Sequence, residues 1–128
     1  MQAARNAIRG VAVVSVPVSD QDRARNFYVE KLGFELVEDR ALGDMRWVQV
    51  RPPGSPTSLT LVTWFATMPA GSLKGLVLET ENVQAAYETL RGRGVAVGHE
   101  PRQEFWSTYT VLDDPDGNGL VLSQPPGD

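Results

Sequence analysis

The chain has 128 residues, a formal net charge of −4, one histidine and no cysteine. Without cysteine there are no disulfides, thiolate nucleophiles or Cys-ligated zinc sites, and a mildly acidic chain lacking a Lys/Arg stripe is a poor nucleic-acid binder. No apolar run approaches the ~20 residues of a membrane helix, and Met1–Gly10 has arginines but no apolar stretch like that of a signal peptide, so a cytoplasmic location is expected.

Apolar residues make up 41% of the chain, enough for a packed core. Ile8–Val18 is rich in valine and reads as a strand. Ser19 or Asp20 then offers an N-cap, and Asp20 and Asp22 put negative charge where a helix dipole favours it. Ala24, Phe27, Tyr28 and Leu32 form the apolar stripe of that helix, which Gly33 ends. Phe34–Arg40, Met45–Arg51 and Ser58–Trp64 read as three more strands, with Pro52-Pro53-Gly54 as a turn. A linker, Phe65–Ser72, follows.

The same order then returns. Leu73–Thr80 is a strand, and Asn82 caps a helix that runs through Arg93 and carries Val83, Ala86, Tyr87 and Leu90 on one face. Val95–Gly98, Trp106–Leu112 and Leu120–Gln124 complete the set. The expected fold is therefore α+β, two βαβββ modules (about 1–66 and about 72–128) in a single domain covering 1–128. Neither module is large enough to bury a core alone. Exposed sheet edges invite a second chain, so a homodimer is expected.

Val16-Pro17-Val18-Ser19-Asp20 is followed by Ala24, Phe27-Tyr28 and Leu32-Gly33-Phe34, and Asp114-Pro115-Asp116-Gly117-Asn118 stands before the last apolar strand. In this order and spacing the chain resembles the vicinal-oxygen-chelate superfamily, the glyoxalase, bleomycin-resistance and dioxygenase proteins. The resemblance implies paired modules curling into a cup-shaped mixed sheet with helices outside, often completed across a dimer. It also implies four cup-facing positions where family enzymes carry His, Glu or Gln around a divalent metal. Carried over one at a time, these fall on Val13, Thr60, Gly75 and Val121, none of them a usual ligand. Independently of alignment, the single His99, in a Gly-His-Glu-Pro loop, cannot build a two-His-one-carboxylate site. No metal and no cofactor are expected, and the resemblance is to the metal-free, antibiotic-binding branch.

Period-two alternation then separates a wall from a core. Val14, Val16, Val18, Val48, Val50, Leu59, Leu61, Leu76, Leu78, Leu120 and Leu122 fall on the helix side. The opposite face receives Val13, Ser15, Trp47, Gln49, Thr60, Val62, Trp64, Val77, Glu79 and Val121, with Ser123 and Arg51 beside them. Phe65 and Met68 in the linker, and Trp106, are expected at the rim. The wall is apolar with a few polar groups, as small-molecule pockets are, and its tryptophans suit planar or cationic ligands. Glu79 is the charged candidate. If it faces inward it could hold a cation or act as a general base; at a strand end it could equally be solvated or cap the next helix.

These features favour sequestration of a small hydrophobic or aromatic natural product, such as an antibiotic, over catalysis. The other reading is a lyase, isomerase or dioxygenase of the same fold, working with or without metal. No nucleic-acid or membrane partner is expected. No nucleophile elbow or phosphate-binding glycine loop is present.

Overall fold

A computed structural model describes residues 7–127. Two mixed sheets and two helical segments build an α+β molecule. The first repeat contains β1 (Val13–Pro17), α1 (Gln21–Asn26), β2 (Glu35–Leu42), β3 (Met45–Arg51) and β4 (Ser58–Val62). The second contains β5 (Lys74–Glu79), α2 (Val83–Gly92), β6 (Ala96–Val97), β7 (Arg102–Gln103), β8 (Thr108–Asp113) and β9 (Gly119–Gln124). The sheet orders are β1-β4-β3-β2 and β5-β9-β8-β6, with β7 also on β8. In each, the first strand runs parallel to the last and the other pairs are antiparallel. No strand pairing joins the two sheets among the described residues, so the one continuous sheet of a cup does not form within a chain.

The helices start where their caps place them. Asp20 is extended and its Oδ1 accepts the Arg23 amide at 3.0 Å, while Asn82 Oδ1 accepts the Ala85 amide at 3.0 Å. The first helix differs from its expected form. After Asn26 it widens into a π turn, Phe27–Lys31, in which the Leu32 amide reaches back to the Phe27 carbonyl at 3.1 Å. The widening accommodates an extra residue and keeps Tyr28 fully buried.

Strand ends also differ. Ile8–Ala12 lie outside β1, because its partner β4 begins only at Ser58, opposite Val13. The preceding arm is held by the Ser58 amide on the Ala12 carbonyl and by Thr57 Oγ1 on the Val11 carbonyl, both at 2.9 Å, and Ile8 and Val11 remain 85% and 63% exposed. The strand expected from Trp106 begins at Thr108, after a short β7 that the sequence does not announce.

One core draws on the helix-side faces of both sheets. Val16, Val18, Tyr28, Val48, Val50, Leu59 and Leu61 from the first repeat join Val83, Leu90, Leu112, Leu120 and Leu122 from the second. Val14, Leu76 and Leu78 pack against it. Lys31 and Arg93 clasp the repeats together: Lys31 Nζ donates to the Arg93 carbonyl, and Arg93 Nη1 to the Lys31 carbonyl, each at 2.9 Å.

The main junction is polar and buried. Asp114 accepts four hydrogen bonds: from Tyr28 Oη (2.9 Å), Asn118 Nδ2 (2.8 Å) and the amides of Asp116 and Asn118 (both 2.9 Å). Asn118 Nδ2 also donates to the Pro17 carbonyl at 2.8 Å, and its Oδ1 accepts the Leu73 amide at 3.1 Å. Asp116 receives Ser19 Oγ (2.6 Å), the Ser19 amide (3.2 Å) and Arg23 (3.0 Å). Gly71 lies so close that a Cβ there would collide with the Asp116 carbonyl oxygen. Burial, and then the neighbouring Asp114 carboxylate, push the Tyr28 hydroxyl far above its ordinary range, so it stays a donor.

On the surface, Asp39 accepts Arg46 through two bonds of 2.8 Å and Arg25 at 2.6 Å. Hydrogen bonding from Arg46, aided by Arg25, lowers its pKa from 3.8 to about 2.

Two outcomes follow. Asn118→Ala strips three bonds from the junction and should cost about 1–3 kcal/mol in urea unfolding; a change below about 0.5 kcal/mol, the range of a neutral surface substitution, would contradict the junction's role. The Asp39 carboxyl has its pKa lowered in the folded state, so its contribution is full above the unfolded value of 3.8 and is lost as pH falls through about 2. Asp39→Asn should therefore be less stable than the parent at neutral pH, with the gap closing between pH 4 and 2. A gap independent of pH would be the contrary result.

Candidate functional site

The faces of the two sheets turned away from the common core carry the candidate site. On the first sheet, the pairing aligns Ser15, Thr60, Gln49 and Glu38 in one cross-strand row. Ser15 Oγ and Thr60 Oγ1 are 3.4 Å apart. Val13 lies diagonally beside Thr60, and Val62 is buried on this face without belonging to the core cluster. Trp47 and Trp64 stack over this wall, with centroids 6.4 Å apart and planes 22° from parallel. Trp47 is steered by its indole N–H donating to Gln49 Oε1 at 2.9 Å. Phe65 leans on Trp64 at 6.1 Å, and half-buried Met68 closes a turn onto the Phe65 carbonyl.

On the second sheet, one row runs Arg102, Tyr109, Ser123, Glu79 and the next runs Val111, Val121, Val77. Val77, midway along the edge strand β5, is a bare apolar side chain, 59% exposed. Beside these rows, β7 and β8 form a hairpin closed by the Glu104 amide on the Ser107 carbonyl. Its tip is Phe105-Trp106, 90% and 54% exposed, where a tight turn ordinarily takes Asn-Gly or Asp-Gly. Trp106 stacks on Tyr109 at 6.3 Å and 28°. Arg102 holds its guanidinium 5.7 Å from the Tyr109 centroid, and His99 meets the ring edge-on at 5.2 Å.

The expected site residues thus divide. Val13, Ser15, Trp47, Gln49, Thr60, Val62, Trp64, Phe65 and Met68 gather at the first sheet. Val77, Glu79, Trp106 and Val121 stand at the second. The three tryptophans make two platforms, not one. Glu79 is exposed at the end of β5, in the position of a solvated strand end. His99 is half-buried against Tyr109, not a free loop residue. Tyr109, Val111 and Arg102 went unforeseen. Alternation back from the core residue Leu112 carries the signal for Val111 and Tyr109, but treating Trp106 as the start of the strand obscures it.

A cavity of about 590 Å³ lies elsewhere, on the helix side. Leu32, Phe34 and Pro52-Pro53 of the first repeat face α2 and the end of β5 across it, and Glu79 is the one expected site residue on its rim. It shares none of the aromatic platforms.

The family model "Glyoxalase/Bleomycin resistance protein/Dioxygenase superfamily" matches residues 10–122. The chain belongs to this superfamily. It is 32% identical over 119 residues to the uncharacterized protein YetH of Bacillus subtilis (strain 168), covering 91% of this chain and 99% of YetH. Among solved structures it is similar to TnmS3, an antibiotic binding protein from Streptomyces sp. CB03234, with 50% identity, 94% and 98% of the two chains covered and a TM-score of 0.90. A superfamily member from Sphaerobacter thermophilus DSM 20745 superposes with a TM-score of 0.86 at 37% identity, covering 92% and 98%.

The divalent metal of the superfamily's enzymes does not fit the residues present. At the four positions that the resemblance implies, Val13 and Val121 are apolar, Thr60 is a buried hydroxyl, and Gly75 sits in a bulge with no side chain to offer. Among the described residues no three His, Asp or Glu side chains form a group able to hold a metal ion. No described helix is long and apolar enough to cross a membrane.

If Trp47 is steered by Gln49, Gln49→Leu should free the indole. The stationary tryptophan emission should then shift and its anisotropy fall, while the unfolding midpoint moves little. An unchanged emission would show that Gln49 does not hold the ring.

Proposed function

We propose that this protein binds and sequesters a hydrophobic or aromatic natural product, an antibiotic being the favoured class, without a catalytic metal and without converting it. The single observation that carries the reading is the pair of stacked aromatic platforms, Trp47/Trp64 and Trp106/Tyr109, on walls whose metal-ligand positions hold Val13, Thr60, Gly75 and Val121. Aromatic rings at partly exposed stacking distance recognise planar ligands at little conformational cost. A wall of valines with isolated Ser, Thr and Gln groups orients such a ligand, and the charged groups on these faces, Glu38, Glu79 and Arg102, stand at the ends of their rows. Similarity to the antibiotic binding protein TnmS3 at 50% identity supports the same class.

Two copies complete the cleft in this reading. The helix-side faces already meet within one chain, which leaves both platform-bearing faces looking outward. Val77, Phe105 and Trp106 are large apolar side chains left exposed on the second sheet and its hairpin, which a partner would cover. The first sheet of one protomer and the second sheet of another would enclose the ligand between them, giving a homodimer with two equivalent clefts. The protein would act in the cytoplasm, keeping the compound from its target and so contributing to resistance.

The test is a tryptophan-fluorescence titration with bleomycin and with an anthraquinone-type antibiotic as probes. At least one should quench saturably, equally well before and after chelator treatment, and be recovered unchanged. Trp64→Ala and Trp106→Ala should each weaken binding about tenfold or more, the loss of a stacked anchor. Mixing the two variants should restore a class of tight sites, because mixed dimers hold one unaltered cleft. Silence across both probes, or stoichiometric Fe, Zn, Ni or Mn in the purified protein, would overturn the proposal. Failure of the mixture to recover would overturn the shared cleft alone.

A further inference from the structure

The two junctions between the repeats are related by the internal repeat, yet one is closed and the other open. At the closed one, the turn before β9 meets the end of β1: Asp114 takes Tyr28, Asp116 takes Ser19, and Asn118 takes the Pro17 carbonyl. The chain entering β5 crosses over this contact. The Gly71 amide donates to the Pro17 carbonyl at 3.2 Å, and the Leu73 amide donates to Asn118.

At the open junction, the turn before β4 faces the end of β5. Here Pro52 and Pro53 stand where the Asp-Pro-Asp turn stands, and Leu90 stands where Tyr28 stands. Proline has no carboxylate to accept and leucine no hydroxyl to donate, so the Tyr28–Asp114 node has no counterpart here. What remains is the 590 Å³ groove, floored by Leu32, Phe34, Leu78, Ala86 and Leu90, with Glu79 and Glu81 on its lip.

The chain entering β1 begins the same crossing. Ser58 binds the Ala12 carbonyl as Gly119 binds that of Leu73, and Thr57 binds Val11 where Asn118 binds Leu73. Beyond Val11 the parallel stops: Ile8 stands 85% exposed, one residue from Arg9 and two from Gly10. We infer that the N-terminal arm, Ala7–Gly10, docks in the groove of its own protomer as a strap, with Ile8 on the apolar floor and Arg9 against Glu79 and Glu81. Gly10 provides the backbone freedom for the crossing, as Gly71 does at φ +83° in the other junction. The lip carries two carboxylates against one lining guanidinium, that of Arg93, so Arg9 on the arm is complementary in charge, and burial of Ile8 removes from water a side chain that is otherwise 85% exposed. The occupant belongs to the same chain because the repeat relates two crossings that each lead directly into the adjoining strand.

The absence of cysteine makes a direct test possible. The double variant Ile8→Cys/Ala86→Cys is oxidised under mild conditions and examined by non-reducing gel and peptide mapping. Ile8→Cys/Asp44→Cys, with the second thiol at the exposed β2–β3 hairpin tip, is the control, since any tethered pair has a high local concentration. The expected result is an intrachain disulfide in the groove pair, formed about tenfold or more faster than in the control. Glu79→Lys/Glu81→Lys in the same background should slow it several-fold. A crosslink between chains would overturn the inference in favour of a second copy's arm. Equal rates in the two pairs, or no crosslink in the groove, would overturn it altogether. Both thiols replace residues outside the platforms, and circular dichroism before oxidation establishes that each variant is folded.

Discussion

The arrangement of the two repeats depends on one buried carboxylate. A charged group taken out of water is strongly destabilising unless its lone pairs are met, and Asp114 meets that condition with four donors. Three of them, the Asp116 and Asn118 amides and Asn118 Nδ2, come from its own turn, which shapes the turn. The Tyr28 hydroxyl comes from the first repeat, which fixes where the turn docks. Asn118 extends the same node to Pro17 and Leu73, so the ends of β1, β5 and β9 are held at one point. No buried side-chain donor or acceptor is left without a partner among the described residues. A node of this kind specifies geometry as well as stability, because a shifted docking would strand several groups at once.

That geometry decides which faces are available. With Tyr28 and Asp114 joined and Lys31 and Arg93 clasped, the helix-side faces of both sheets are committed to a shared core. The other faces carry the aromatic side chains. The fold thus spends its polar precision on the inner junction and leaves stacked rings, valines, Ser, Thr and Gln on the outer faces, with Glu38, Glu79 and Arg102 at the ends of their rows. Stacked rings on such a surface suit a flat ligand, as the proposed function requires.

Much of this was legible in the sequence, for a definite reason. Alternation in β1, β3, β4, β5 and β9 separates Val16, Val48, Leu61, Leu78 and Leu120 from Ser15, Gln49, Thr60, Val77 and Val121 without reference to any partner strand, because the pleat has a period of two. Asp20 and Asn82 announce their helices because capping is local. The π turn at Phe27–Lys31 is not announced, since it depends on where Tyr28 must reach, and its partner lies 86 positions away. The Asp-Pro-Asp-Gly-Asn run reads as good turn chemistry, and only the fold reveals Asp114 and Asn118 as the node between repeats. The division of the tryptophans into two platforms was equally hidden. Trp47 and Trp64 meet across strands, whereas Trp106 is lifted by a β7–β8 hairpin too short to leave a pattern.

The most direct measurement of the central claim is calorimetric titration of metal-stripped protein with an anthraquinone-type antibiotic, followed by mass spectrometry of the released compound. Sequestration predicts saturable binding at one ligand per chain, with the compound returned at its original mass. No heat of binding by this compound or by bleomycin, or a compound returned chemically altered, would contradict it.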